Sequence, residues 1–131
     1  MFDGRPFVSL NLKHLADTRS IAFTIEGRGV RITQAGRSHV QRTVSMSIGR
    51  FIRHIRSIVV LLEDVNGPRG GIDKRCRLDL RLRPSGRLSS SANSTDIGVA
   101  VMKAARRARA LLQRRRQRAR AGRRATSGQN L

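Results

Sequence analysis

The stretch KRCRLDLRLR at residues 74–83 alternates strictly between apolar and polar side chains. The apolar set is Cys76, Leu78, Leu80 and Leu82, and the polar set is Arg75, Arg77, Asp79, Arg81 and Arg83. A period of two residues is typical of a β-strand that buries one face and exposes the other. The pattern therefore predicts a strand whose open face is lined with arginine.

Three further segments are predicted to be strands. Residues 21–27 (IAFTIEG) alternate in the same way, and residues 56–64 (RSIVVLLED) are apolar and rich in β-branched side chains. A shorter strand is expected at residues 87–92, after the turn segment RPSGR. The segment VNGPRGGI at residues 65–72 contains Asn-Gly, Gly-Pro and Gly-Gly, which are turn dipeptides, so the second and third strands should form a hairpin.

The helical period follows the first strand. The apolar residues Val40, Val44, Ile48 and Phe51 follow one another at spacings of four, four and three. This spacing predicts an amphipathic helix at residues 34–49. Thr33 precedes the helix and is a good N-cap residue, because its hydroxyl can accept a hydrogen bond from a free backbone N–H.

A second helix is predicted from the last apolar stripe of the chain. Its buried side consists of Ile97, Ala100, Val101, Ala104, Ala105, Ala108, Leu111 and Leu112. Asn93, Ser94 or Thr95 could cap it, with Asp96 favourably placed near its positive N-terminal end. Arg115 falls in the middle of the stripe, so the buried contact is expected to end near residue 112.

The order of elements is β-α-β-β-β-α, which predicts an α+β fold. Each strand has one apolar face and each helix one apolar stripe, so both helices should pack on one face of a four-stranded sheet. Double-stranded-RNA-binding domains have a related layout. We expect a loose N-terminal extension at residues 1–20, an α+β domain at 21–118 and a disordered basic tail at 119–131, where Gly, Ser, Thr and Arg dominate.

The charge of the chain narrows its function. Its 28 Lys and Arg residues against 8 Asp and Glu give a formal net charge of +20. So large an excess opposes folding through self-repulsion and is typical of a protein with an anionic partner. Nucleic acid is the first candidate, followed by an anionic membrane surface and an acidic protein. Trp and Tyr are absent, which argues against recognition by stacking of bases.

The candidate RNA-binding residues are basic side chains on two predicted surfaces and one loop. They are Arg75, Arg77 and Arg81 on the third strand, Lys103, Arg106, Arg107, Arg109 and Arg114 on the second helix, and Arg69 at the tip of the turn. A single row of exposed arginines is often only a solvated face, but two basic surfaces and the uncompensated charge favour an RNA-binding role. The tail arginines are expected to act as a non-specific electrostatic arm.

No pattern in the sequence predicts catalysis, a metal site or a cofactor. Cys76 is the single cysteine, so the chain can form no internal disulfide, and a reduced intracellular compartment fits best. His39 and His54 have no Cys or carboxylate at ligand spacing. No apolar run approaches the roughly 18 residues that span a membrane, and no small-molecule substrate is expected.

The segments GRFIRHIRSIVVLLEDVNGPRGGIDKRCRLDLRL and STDIGVAV, with the order of elements and the basic final helix, resemble the ribosome hibernation-promoting factor family. This family is also called the ribosome-associated inhibitor or sigma-factor modulation family. The resemblance covers residues 21–118. It implies a cytoplasmic protein that binds the small ribosomal subunit and its rRNA, in the channel of messenger RNA and the A- and P-site tRNAs. Such proteins silence translation in stationary or stressed cells.

The length suggests a short-type member of that family, without the domain through which long members dimerise ribosomes directly. The residues alone leave other functions open. A generic RNA- or DNA-binding module or a ribosomal protein is the second interpretation, and a regulator of a sigma factor is the third. An enzyme is the least favoured, because no catalytic constellation is present.

Overall fold

The computed structural model describes residues 21–65 and 74–129, with side chains described as far as residue 122. The elements are β1 (Ala22–Arg28), α1 (Gln34–Ile48), a 3-10 segment (Gly49–His54), β2 (Ile55–Asp64), β3 (Lys74–Leu82), β4 (Arg87–Ser94) and α2 (Ile97–Gln129). The predicted α+β fold and its order of elements are confirmed. The expected N-terminal extension and the turn that contains Arg69 lie outside the described residues.

The four strands form one mixed sheet in the order β1-β2-β3-β4. β1 pairs with β2 in parallel, and β2–β3 and β3–β4 are antiparallel. The register shifts between Ile55 and Ser57 at the start of β2, so the exposed Arg56 falls at an irregularity. Both edges of the sheet, β1 and β4, are free of a further strand within the described part of the chain.

The hydrophobic core lies between one face of the sheet and the two helices. The predicted alternation of β3 is confirmed, because Leu78 and Leu80 are buried while Arg77 and Arg81 are exposed. The helices contribute Val40, Val44 and Ile48 from α1, and Ala100, Val101, Ala104, Ala105, Ala108 and Leu112 from α2. The inner face of the sheet is therefore covered, and the outer face is left to solvent.

Two serine hydroxyls fix α2 between its neighbours. Ser90 Oγ on β4 donates to the Ala104 carbonyl at 2.8 Å, and Ser47 Oγ on α1 donates to the Ala105 carbonyl at 3.0 Å. Both carbonyls lie in a stretch of buried alanines, whose small side chains allow the backbone of α2 to come close to both elements. These bonds set the rotation of α2 about its axis and so the direction of its arginines.

The helix N-termini are capped by side chains. The prediction for Thr33 is confirmed, because its Oγ1 accepts a hydrogen bond from the Gly36 N–H at 3.0 Å. The prediction for α2 needs correction: its cap is Asp96, whose Oδ1 accepts from the Val99 N–H at 3.1 Å. Ser94 instead accepts a hydrogen bond from the Asp96 N–H at 3.3 Å.

The buried contact of α2 ends at Leu112, as predicted, and beyond it the exposed Arg115 still touches the domain. The Arg115 guanidinium lies over the β3–β4 turn, where Gly86 adopts a φ of +108°. The turn requires glycine for its backbone, because L side chains rarely adopt this φ, whereas the Arg115 guanidinium is the end of a flexible side chain and could move aside for a Cβ. Arg115 thus falls in the apolar stripe because it packs on a backbone turn.

α2 runs as far as Gln129 within the described residues, and the predicted division of the chain into an extension, a domain and a basic tail stays a prediction. Arginine, alanine and glutamine dominate residues 113–121 and are strong helix formers, and the segment has no proline. Beyond residue 112, where the apolar pattern stops, the high helix propensity of these residues favours continuation of the helix.

Candidate nucleic-acid interface

The outer face of the sheet carries the three predicted arginines of β3. Strand pairing places Arg81 opposite Arg87, Asp79 opposite Ser89, Arg77 opposite Ser91 and Arg75 opposite Asn93. Arg75, Arg77 and Arg81 are all exposed, as the alternation predicted. Arg75 Nε donates to the Asn93 amide oxygen at 3.4 Å, which orients this side chain toward the edge strand.

Carboxylates interrupt the basic surface. Arg77 Nε lies 3.1 Å from an Asp79 carboxylate oxygen, and the Ser89 hydroxyl donates to the same oxygen. Glu26 and Glu63 belong to the same face, because the register aligns them with Arg77 and Arg75. The outer face is therefore a pattern of five arginines, including Arg28 and Arg87, and three carboxylates.

The outer face contains a shallow groove over β2, β3 and β4. Its basic lining consists of Arg77, Arg81 and Arg87, and its acidic lining of Asp79 alone. Ser57, Val59, Leu80 and Ser89 complete it. We call this the sheet groove. Three guanidinium groups with small hydroxyl side chains between them offer many donors and little steric obstruction, which suits the oxygens of a phosphate backbone.

A second groove runs along the free edge of β4, beneath α2. It is lined by Ser89, Ser90 and Ser91 from the strand and by Arg107, Ala110, Leu111 and Arg114 from the helix. The Arg107 guanidinium donates to the Ser91 carbonyl, so it covers part of the open strand edge that could otherwise pair with another chain. We call this the edge groove.

The two grooves meet at the edge strand, because Ser89 lines both of them. Together they bring five arginines of the described chain around β4, and Asp79 is the one carboxylate in their lining. The structure therefore joins part of the predicted strand set with part of the predicted helix set. Sequence periodicity alone could not show this, because it does not reveal which flank of α2 faces the sheet.

The remaining predicted helix residues are not all part of this surface. At 100° per residue, Lys103 lies within about 40° of Arg107 and Arg114 on the flank that faces β4. Arg106 and Arg109 lie about 60° and 120° further round on the other side of Lys103, away from the edge groove. Both are exposed. The predicted basic face of the helix thus divides into two flanks, and only one flank is continuous with the sheet.

Sequence reasoning missed Arg87 and Arg28 as members of the outer face. The signal for Arg87 was present, because residues 87, 89, 91 and 93 alternate in β4 as the predicted arginines do in β3. Arg28 required the β1–β2 register, which pairs it with Glu63. Arg69 lies outside the described residues, so its prediction stays untested.

The described reactive side chains include one cysteine, Cys76, which is buried. Burial raises the pKa of the Cys76 thiol to about 12, so the thiol stays protonated and unreactive near neutral pH. Within residues 21–65 and 74–122, no cluster of three or more His, Cys, Asp and Glu side chains could hold a metal ion. None of the helices described is long and apolar enough to cross a membrane.

Comparison with known proteins identifies the family. Residues 23–120, well over half of the chain, match the family model described as sigma 54 modulation protein / S30EA ribosomal protein. The chain belongs to this family. The sigma 54 modulation / S30EA family is one of ribosome-associated factors, in agreement with the resemblance read from the sequence.

Solved structures of low sequence identity share the fold of this family member. The N-terminal domain of Protein Y from Thermus thermophilus is 21% identical, with a TM-score of 0.58 over 69% of this chain and 92% of that one. A ribosomal subunit interface protein from Coxiella burnetii is 17% identical, with a TM-score of 0.61 over 72% of this chain and 97% of that one. None of the curated protein sequences matches the chain significantly.

Proposed function

We propose that the protein is a ribosome-associated translation inhibitor that binds the small ribosomal subunit in the channel of messenger RNA and the A- and P-site tRNAs. It would act in the cytoplasm, in stationary or stressed cells, and its contacts would be with rRNA phosphates. The observation that carries the proposal is the meeting of the sheet groove and the edge groove at Ser89, in a chain of this family.

The chemistry of the two grooves supports binding to a phosphate backbone. Guanidinium groups form paired hydrogen bonds with phosphate oxygens, and five of them surround the edge strand. The described phenylalanines, Phe23 and Phe51, are buried, so the described surface offers no exposed phenylalanine, tyrosine or tryptophan ring for base stacking. Recognition would therefore depend on charge and on shape, which suits a structured RNA more than a flexible single strand.

Inhibition would need no chemical step. A rigid domain with two basic surfaces would exclude tRNA and messenger RNA by occupying their volume, and the negative potential of the rRNA would attract its positive charge. The edge groove and the sheet groove meet at Ser89 on β4, so the domain could contact two rRNA segments at once. Two linked contacts hold more tightly than either alone, because the second one forms at high effective concentration.

Competition with initiator tRNA tests the proposal. The purified protein should suppress synthesis in a translation extract, and initiator tRNA should displace it from small subunits. Reversal of two groove residues, Arg81→Glu with Arg87→Glu, should abolish both effects. The matched control is Arg31→Glu with Arg42→Glu, which reverses two exposed charges away from the grooves and should retain both.

The same experiment separates the alternatives. If tRNA and the protein bind one subunit without mutual loss of affinity, the proposed position in the channel is wrong. Sedimentation of stationary-phase extract through a sucrose gradient shows with which cellular particles the protein is associated. Sedimentation with mixed RNA would indicate a generic RNA-binding module, and sedimentation with RNA polymerase would favour sigma-factor regulation, which the family description also names.

A further inference from the structure

A third groove lies on the opposite flank of α2, against the 3-10 segment Gly49–His54. The helix contributes Gln113, Arg116, Gln117 and Arg120 to its lining, and the 3-10 segment contributes Arg50, Phe51 and His54. We call it the Arg50 groove. At 100° per residue its helix residues centre about 120° from Arg107 and Arg114, so this groove is separate from the edge groove.

The helix residues of the Arg50 groove have the spacing of a packing stripe but not its composition. Residues 113, 116, 117 and 120 follow the i, i+3, i+4, i+7 pattern that usually places apolar side chains against a domain. Here the pattern consists of two glutamines and two arginines. Gln113 and Arg116 are partly buried, whereas Gln117 and Arg120 are exposed. Polar donors therefore replace apolar side chains at the partly buried positions of this stripe.

The groove collects positive charge without a counter-charge. Three guanidinium groups, those of Arg50, Arg116 and Arg120, line it together with two side-chain amides and an imidazole, and its lining contains no carboxylate. Arg50 is held over the Phe51 ring, with its guanidinium carbon 5.4 Å from the ring centroid. Like charges that converge in a concave site repel one another unless an anion joins them.

We propose that the Arg50 groove binds a phosphate group. Guanidinium and amide N–H groups donate to phosphate oxygens, and arginine forks match the geometry of a tetrahedral oxyanion in pairs. The phosphate could belong to an RNA backbone or to a free phosphorylated small molecule, since both present the same oxygens. This inference goes beyond the proposed function, because the groove lies apart from the two grooves that carry that proposal.

Binding of inorganic pyrophosphate to the isolated protein tests the site without a ribosome. Isothermal titration at constant ionic strength should show one saturable site in the wild type. The variant Arg50→Gln with Arg116→Gln and Arg120→Gln should bind at least about tenfold more weakly, because it loses three charge-assisted donors. The control Arg31→Gln with Arg42→Gln and Arg118→Gln removes the same charge from exposed positions outside the groove and should stay within about twofold of the wild type.

Loss of the Arg50–Phe51 contact could weaken the fold, so a second variant keeps Arg50. Arg116→Gln with Arg120→Gln should show an intermediate loss of pyrophosphate affinity at an unchanged melting temperature, since glutamine keeps a polar side chain at the partly buried Arg116 and the exposed Arg120. Equal losses in the groove variants and the control, or no saturable site in the wild type, would overturn the proposal.

Binding to small subunits then identifies the source of the phosphate. A tenfold larger dissociation constant for the triple groove variant than for its control would assign the site to an rRNA phosphate. Equal dissociation constants, with pyrophosphate binding lost only in the groove variant, would assign it to a free phosphorylated molecule. Because the pyrophosphate titration uses no ribosome, its failure is distinct from a failure of the proposed function.

Discussion

Asp79 offers a direct test of whether the sheet groove contacts RNA. Its carboxylate lies among the groove arginines, 3.1 Å from Arg77 Nε, and it also accepts a hydrogen bond from the Ser89 hydroxyl. Asp79→Asn keeps the shape of the side chain and one carbonyl oxygen as acceptor for these donors. It removes the one negative charge in the lining of the groove. The substitution should therefore tighten binding to small subunits.

The size of the gain follows from the exposure of the pair. The side chains of Arg77 and Asp79 are 54% and 43% exposed, so solvent screens their charges. One charge interaction under such conditions is worth about 0.5–1 kcal/mol, which corresponds to a two- to fivefold lower dissociation constant. The released Arg77 could also form one more phosphate contact. The slope of log affinity against log salt should then steepen by about 0.7–0.9.

Co-sedimentation of labelled protein with purified small subunits between about 50 and 200 mM salt measures both quantities. Glu26→Gln is the matched control, because it removes one carboxylate from the same face on the far edge strand β1. Its effect should be smaller than that of Asp79→Asn. An unchanged or weaker affinity of Asp79→Asn, at an unchanged melting temperature, would show that no phosphate lies over the sheet groove.

Three further predictions test the fold around the grooves. Leu80 is 1% exposed, so Leu80→Ala should lower the free energy of unfolding by about 2–5 kcal/mol. Arg81→Ala should lower it by less than about 0.5 kcal/mol. Equal losses of the two variants in urea unfolding would contradict the strand register. Gly86→Ala should destabilise the fold by about 1–3 kcal/mol through its φ of +108°, and adding Arg115→Ala should recover little of that loss, because the guanidinium can already move aside. A neutral Gly86→Ala in urea unfolding would contradict the turn. The pKa of the Cys76 thiol is 9.0 in the unfolded chain and about 12 in the folded one, so the free energy of unfolding should fall by about 1.4 kcal/mol per pH unit between these values. Cys76→Ala should abolish this fall. If the fall persists in the Cys76→Ala variant, other groups cause it.

The fold was predictable because the chain repeats simple patterns. Strict alternation in β3 located both its buried leucines and its exposed arginines, and the spacing of Val40, Val44 and Ile48 located α1. Each pattern reports burial on one element, and burial decides the layers of an α+β domain. The cap of α2 was less predictable, because Ser94, Thr95 and Asp96 all carry side chains that can cap a helix. The choice depends on backbone geometry at the end of β4.

The site was predictable only in part, because its residues come from elements whose relative rotation the sequence does not show. Arg107 and Arg109 are equivalent as members of a polar helix face. The structure separates them, since hydrogen bonds from Ser90 and Ser47 fix how α2 is turned. The role of Arg115 was hidden for the same reason. Nothing in residues 97–112 indicates that a turn containing Gly86 lies beneath the next helical turn.

The mixture of charges on the sheet carries a consequence for how the domain would sit on RNA. A uniformly basic surface binds phosphates in many positions with similar affinity, whereas a carboxylate penalises every position that brings a phosphate over it. In the sheet groove Asp79 lies at the centre, with Arg77 on one side of it and the pair Arg81 and Arg87 on the other. Phosphates are therefore favoured at the ends of the groove and disfavoured at its centre.

In the edge groove Arg107 and Arg114 face no carboxylate in the lining. On these grounds the edge groove would supply affinity, while the sheet groove would select one register. Asp79→Asn should accordingly increase binding to unrelated RNA more than binding to the small subunit.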